Sequence, residues 1–292
     1  MFDSRLGCST ISFRHLPLHS ALDVIRELGF AEIDLGSLPG VCDHVPLDLD
    51  DRGAREVVQA VQRSGLAVRS INCDVGDLNN PATDLDASIH LERLLELAAQ
   101  VGAQALVLPN GALGHEPIKS LDSDLDLVAA NLHSVSRRAH RYGVNVWTES
   151  LHVFRLCCTT GRAAALDERI DPSIGIVMDF SHVVASGSDA AHFARSMGSR
   201  ISHVHIRDSN RGEVRLDETD AVDKPGNINI SVGRGEVDFR GGIDALRSAG
   251  FTGHFALELE TRDISNEQRP AATAAAGDLI TELLLDTHQE TS

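Results

Sequence analysis

Six times along this chain a helical pattern runs into a glycine, and an apolar run follows within a few residues. The glycines are Gly29, Gly65, Gly102, Gly143, Gly198 and Gly250, as in RELGFAEIDLG, QVGAQALVLPN and HRYGVNVWTES. A glycine there suits a left-handed residue that closes a helix C-terminus. The runs that follow are rich in Val, Ile and Leu and barely alternate, as strands covered on both faces do. With LGCSTISF at the start and SIGIVMDF near position 176, eight strands are expected, near 6–13, 31–37, 67–73, 105–110, 144–149, 174–180, 201–208 and 254–260. Helical segments such as ALDVIREL, AREVVQAVQRS, ASIHLERLLELAAQ, DLVAANLHSVSRRAHR and AAHFARSM separate them.

Eight β/α units in 292 residues predict an α/β protein, a (β/α)8 barrel of one domain over residues 1–292, with 287–292 fraying. A doubly wound open sheet is the runner-up. No G-x-G-x-x-G follows the first strand, which counts against a dinucleotide-binding version. No linker or low-complexity segment divides the chain. The longest irregular stretch, Asp208 to Asp238, leaves the rim where barrel active sites form, and a loop of that length is expected to serve function.

Composition narrows the partners. The net charge is −17, and a surface so negative repels polyanions, so nucleic acid is not an expected partner. No apolar run is long enough to cross a membrane. MFDSRLGCSTISF lacks the basic and long apolar parts of a secretory signal, and Cys8, Cys42, Cys73, Cys157 and Cys158 form no C-x-x-C pair. Reduced thiols and a cytoplasmic location are expected.

Glu149, Asp179, His205 and Glu258 sit at or just past the ends of NVWTE, IGIVMDF, ISHVHIRD and HFALELE. In a barrel, residues at strand C-termini converge on one mouth. One such acid would be a solvated rim residue. Three carboxylates and an imidazole at four successive strand ends form a ligand set for one divalent cation. The donors suit Mn²⁺, Mg²⁺ or Co²⁺, with Zn²⁺ as a further candidate. Glu260 competes with Glu258, since LELE puts both on one face. Asp208 is expected beside the ligands or at the rim, and His203 in the core.

Other side chains gather at the same mouth. His182, in D-F-S-H, is a candidate substrate contact, against a capping role. His152 and Arg155, in ESLHVFR, and Arg211 flank the mouth; arginine suits carboxylate or phosphate, but is often only solvated. Asn72 and Asn110 could bind substrate hydroxyls or cap the loops that follow.

At these residues the chain resembles the xylose isomerase-like TIM barrels, over nearly its whole length. The motifs are D-x-x-H at Asp179–His182, H-x-x-D at His205–Asp208, GRGEVDF, and G-F-x-G followed five residues later by Glu258. That last spacing selects Glu258 over Glu260. The resemblance implies that the four ligands hold one metal, Mn²⁺ first. Glu149 and Glu258 would remove and return a proton α to a carbonyl held there, through an enediolate. It also implies substrate contacts from His182 and Arg211, and a homo-oligomer. The implied activity is a sugar, sugar-phosphate or keto-sugar isomerase or epimerase. A lyase or dehydratase would start with the same proton abstraction, with His152 or His182 as acid. Asn72 and Asn110 stand where a three-metal endonuclease IV site has histidines, and Asn227-Ile-Asn229 where it has a D-x-H motif. A non-catalytic sugar-binding barrel is the remaining alternative. Arg155 stands where ketose 3-epimerases carry a second glutamate, which leaves room for an acidic or phosphorylated substrate, or a keto-sugar derivative.

Overall fold

Eight parallel strands close a barrel in the order β1-β10-β7-β6-β5-β4-β3-β2. The strands are β1 (Leu6–Ser9), β2 (Glu32–Ser37), β3 (Ala67–Cys73), β4 (Ala105–Pro109), β5 (Asn145–Glu149), β6 (Gly175–Asp179), β7 (Ile201–Ile206) and β10 (His254–Leu257). Two short antiparallel strands, β8 (Glu213–Val214) and β9 (Val222–Lys224), lie in the loop after β7. This computed structural model describes residues 1–215 and 220–286, so the 287–292 tail lies outside the described residues.

Helices cover the barrel as the sequence pattern requires: α1 (Leu18–Leu28), α2 (Asp51–Ser64), α3 (Ile89–Val101), α4 (Leu121–His140), α5 (Thr160–Asp167), α6 (Phe180–Ala185), α7 (Ala190–Met197), α8 (Phe239–Ser248) and α9 (Arg269–Leu285). Side-chain caps start many of them; Asp50 accepts from Gly53 N, and Ser88 from Leu91 N. Gly29, Gly65 and Gly102 close α1, α2 and α3 in the left-handed region. Between those ends one face is buried, as with Ala21, Leu22 and Ile25 of α1. Each large aliphatic side chain so removed from water contributes about 1.5–3 kcal/mol.

The expected elements need four corrections. The first run is a strand only to Ser9. The Ser9 side chain then accepts from Ile11 N and turns Thr10–Phe13 into a 3₁₀ helix. The seventh strand ends at Ile206 and the last at Leu257, short of Asp208 and Glu260. Gly198, with φ 47° and ψ −122°, does not close α7 in the left-handed form but opens a 3₁₀ turn. The loop after β7 is not irregular throughout, since β8 and β9 pair within it.

Asp208 anchors that loop. Its carboxylate accepts from the backbone of Ser209, Gly233, Gly235 and Val237. Gly235 passes so close that a Cβ there would lie 2.2 Å from Asp208 Oδ1. Among the described residues no helix is long and apolar enough to cross a membrane.

Candidate metal centre

The strand register delivers four side chains to one point above the barrel interior. Glu149 and Asp179 are the last residues of β5 and β6, His205 is the penultimate residue of β7, and Glu258 follows β10 directly. All four are buried, and one ligand atom of each lies within 4.8 Å of the others. His205 Nδ1 is 3.4 Å from Glu149 Oε1 and 3.3 Å from Glu258 Oε2.

The donor set fits a divalent cation because its inward atoms have nothing else to bind. Glu149 Oε1, Asp179 Oδ2 and His205 Nδ1 are buried without a hydrogen-bond partner. Unpartnered polar atoms in a dry interior are costly, and coordination would satisfy all three at once. The other Asp179 oxygen is fully used: Oδ1 accepts from Ser181 N, Ser181 Oγ and His182 N and caps α6. Three carboxylates and one imidazole make an oxygen-rich, borderline site.

Crowded carboxylates perturb one another in the cation-free protein. Burial, with the charges of Glu149 and Glu258, pushes Asp179 up to about 7. Burial would raise Glu258 too, but His205, Arg207 and the Asn72 hydrogen bond outweigh it and bring it down to about 2. Burial opposes charge on His205, yet the carboxylates of Glu258, Asp34 and Glu149 close around its ring hold it well above its usual value.

Above the quartet lies a cavity of about 230 Å³. Of the candidate residues, Asn72, Glu149, His152, Arg155, His182 and Glu258 line it. Asn72 Nδ2 donates to Glu258 Oε1 at 2.9 Å. His182 Nε2 lies 3.8 Å from Glu149 Oε1, and the His152 ring lies 3.8 Å from the His182 ring. Burial pushes His152 down to about 4 and His182 well below its usual value, so both imidazoles are neutral at pH 7. Arg155 donates to Asp74 Oδ2 (2.7 Å) and to Gly111 O (2.8 Å).

Two of the candidate substrate contacts do not reach the cavity. Asn110 is fully buried and its Nδ2 donates to the backbone oxygen of Glu149 at 2.6 Å, so it fixes the end of β5. The Arg211 guanidinium turns away to the carbonyls of Gly187 and Ser188, each at 3.0 Å. Glu260 lines the cavity but stands outside the quartet, paired with Arg14 (2.6 Å) and Arg207 (2.8 Å).

The sequence pattern missed two residues beside the quartet. Asp34, in the middle of β2, reaches across the barrel to His203 Nε2 at 2.8 Å and lies 3.6 Å from His205 Nε2. Asp34, His203 and His205 are themselves close enough to hold a cation. Of the Asp34 oxygens, Oδ2 already bonds His203 and Oδ1 is buried without a partner; that histidine stacks on Trp147 in the core as expected. Arg207 lines the cavity, held by Glu260 and by Ile228 O (3.0 Å), with Nη1 4.0 Å from Glu258 Oε2. The available signal was strand alternation, which puts Arg207 on the face of His203 and His205.

The xylose isomerase-like TIM barrel family matches this sequence over residues 22–283. The 3-dehydro-D-guloside 4-epimerase of Escherichia coli (strain K12) is 26% identical over 223 residues, covering 71% of this chain and 77% of its own. Inosose dehydratase of Geobacillus thermodenitrificans (strain NG80-2) is 30% identical over 146 residues, 48% of each chain. Among solved structures, the IolI protein with a bound zinc atom aligns at a TM-score of 0.74 and 18% identity, covering 97% of this chain and 100% of that one, a likeness of fold. The match to the family spans most of the barrel, and the chain belongs to the xylose isomerase-like TIM barrel family.

Proposed function

We propose that this protein is a divalent-metal-dependent isomerase or epimerase of a carbonyl-bearing sugar. The observation that carries the reading is a division within the quartet: Glu149 and Glu258 line the cavity, whereas Asp179 and His205 lie behind it. Two ligands are therefore purely fixed donors, and two also face the substrate. Similarity to a sugar epimerase and to inosose dehydratase supports a carbohydrate substrate.

Glu149, Asp179, His205 and Glu258 would hold one divalent cation, Mn²⁺ first, and the zinc in IolI supports a metal of that charge. Such an ion, when bound, polarises a carbonyl oxygen as a Lewis acid. The protein's residues do the rest. Glu149 and Glu258 come from strands separated in the barrel by β6 and β7. One takes the proton from the carbon α to the carbonyl; the other returns a proton to the enediolate on its opposite face. Asn72 orients Glu258, and Asn110 holds the backbone of Glu149. His182 and His152, both neutral, offer hydrogen bonds to sugar hydroxyls beside Glu149.

Dehydration is the second reading, supported by the half-length match to inosose dehydratase. One experiment tests both. Ketoses, keto-glycosides and inositol ketones are incubated with protein and Mn²⁺ in D₂O and followed by NMR. Deuterium at the α-carbon with no loss of water is expected. Glu149→Gln and Glu258→Gln should each abolish exchange while circular dichroism is retained. Normal exchange in both variants would sink the reading, and an unsaturated product would select the dehydratase.

A further inference from the structure

The walls of the cavity differ from its floor, and the difference points to a kind of sugar. Four carboxylates line it, Asp74, Glu149, Glu258 and Glu260, against two arginines and no lysine among the described residues. Neither arginine is free to take an anion. Arg155 donates to Asp74, and Arg207 to Glu260, which Arg14 also grips. A phosphate or carboxylate entering this mouth would meet two acids assigned to the cation, two acids paired with arginines, and no guanidinium without a carboxylate partner. Anionic groups bind where charge-assisted donors are unspent.

The outer wall is apolar. Leu38, Pro39 and Val41 line it from the loop after β2, and Leu113 from the loop after β4. Phe154 lies outside this lining, its ring edge-on to His182 at 6.2 Å. Val41 is 41% exposed, Leu113 71% and Phe154 38%. These loops are pinned. Leu38 and Cys42 exchange backbone hydrogen bonds at 3.0 and 2.8 Å. The loops after β4 and β5 are joined by Gly114 N to Phe154 O (2.8 Å) and Leu156 N to Ala112 O (3.2 Å). A rigid apolar rim above a polar floor is the form of a site with a preformed place for an apolar group.

We propose that the substrate is an uncharged carbonyl sugar carrying an apolar substituent, a keto-glycoside, with the sugar over the quartet and the substituent against Leu38, Val41 and Leu113. This rests on the reading of the quartet as a sugar site. It excludes the sugar phosphates and sugar acids that Arg155 alone would have admitted.

The test uses the metal-loaded full chain with phenyl and methyl keto-glucosides and keto-glucose 6-phosphate, scored by α-carbon exchange in D₂O. The phenyl compound is expected to be preferred, with the phosphate poorer by on the order of 10–100-fold, as for a buried charged group left unpaired. Calorimetric binding of phenyl glucoside, methyl glucoside and glucose 6-phosphate should give the same order. The exposed variants Leu113→Ser and Val41→Ser should lower the phenyl-to-methyl ratio by about tenfold and leave the mass by light scattering unchanged. Preference for the phosphate, or an unchanged ratio in both variants, would overturn the inference. A fall in mass would do the same, since the rim would then be covered by a second copy of the chain. Binding in the expected order without exchange would count against the proposed reaction and in favour of this substrate class.

Discussion

Asp34 Oδ2 stands 3.6 Å from His205 Nε2, across the ring from the nitrogen that faces Glu149 and Glu258. A carboxylate on that side favours a proton on Nε2 and leaves Nδ1 for a cation. Asp34→Asn removes the charge and keeps the shape. Manganese affinity should fall by roughly 10–100-fold, read by calorimetric titration of EDTA-stripped protein, with circular dichroism unchanged. Equal affinity would mean that Asp34 serves only His203.

Metal binding should strengthen with pH. In the cation-free protein Asp179 is raised to about 7 and His205 well above its usual value, and both must be deprotonated to coordinate. Below pH 7 protons compete for the site, and apparent affinity should drop by about tenfold per pH unit for each proton displaced. Titrations at pH 6, 7 and 8, in buffers of different ionisation enthalpy, would count those protons. A flat profile would take both Asp179 and His205 out of the ligand set.

Glu260→Gln should separate stability from metal content. The substitution removes the nearer carboxylate partner of Arg207, 4% exposed, and leaves it Glu258 at 4.0 Å. Breaking such a pair costs about 3 kcal/mol, visible as a lower denaturant midpoint. Metal analysis should still find one divalent ion per chain. Loss of the ion would show that Glu260 belongs with the ligands.

None of the five cysteines should react in the native state. All are buried and free. Burial pushes Cys8 up to about 12 and Cys42 to about 11, and raises Cys73, Cys157 and Cys158. Ellman's reagent at pH 8 should titrate no thiol until denaturant is added, and five thereafter. A rapidly reacting thiol in the native protein would expose an opening that these burials do not contain.

The barrel was legible because parallel strands covered on both faces leave nearly continuous apolar runs, and the quartet because its acids interrupt those runs at their ends. What the sequence hid was pairing across the barrel. Asp34 and His203 are 169 positions apart, and nothing local in EIDLGS announces an imidazole opposite. Arg211 shows the converse: its spacing from His205 places it near the mouth, but the carbonyls of Gly187 and Ser188 capture its side chain. Arg155 looked like an anion holder for want of its partner, Asp74, which lies 81 positions away.

Beneath the ligands, the stack of His203 on Trp147 plugs the barrel axis, with Asp34 locked against it. That packed layer lies behind the quartet, and the cavity lies in front of it. If Glu149 and Glu258 act as proposed, water that refreshes them would share the cavity with the sugar. A proton taken from a bound sugar would then exchange with bulk solvent once the mouth clears.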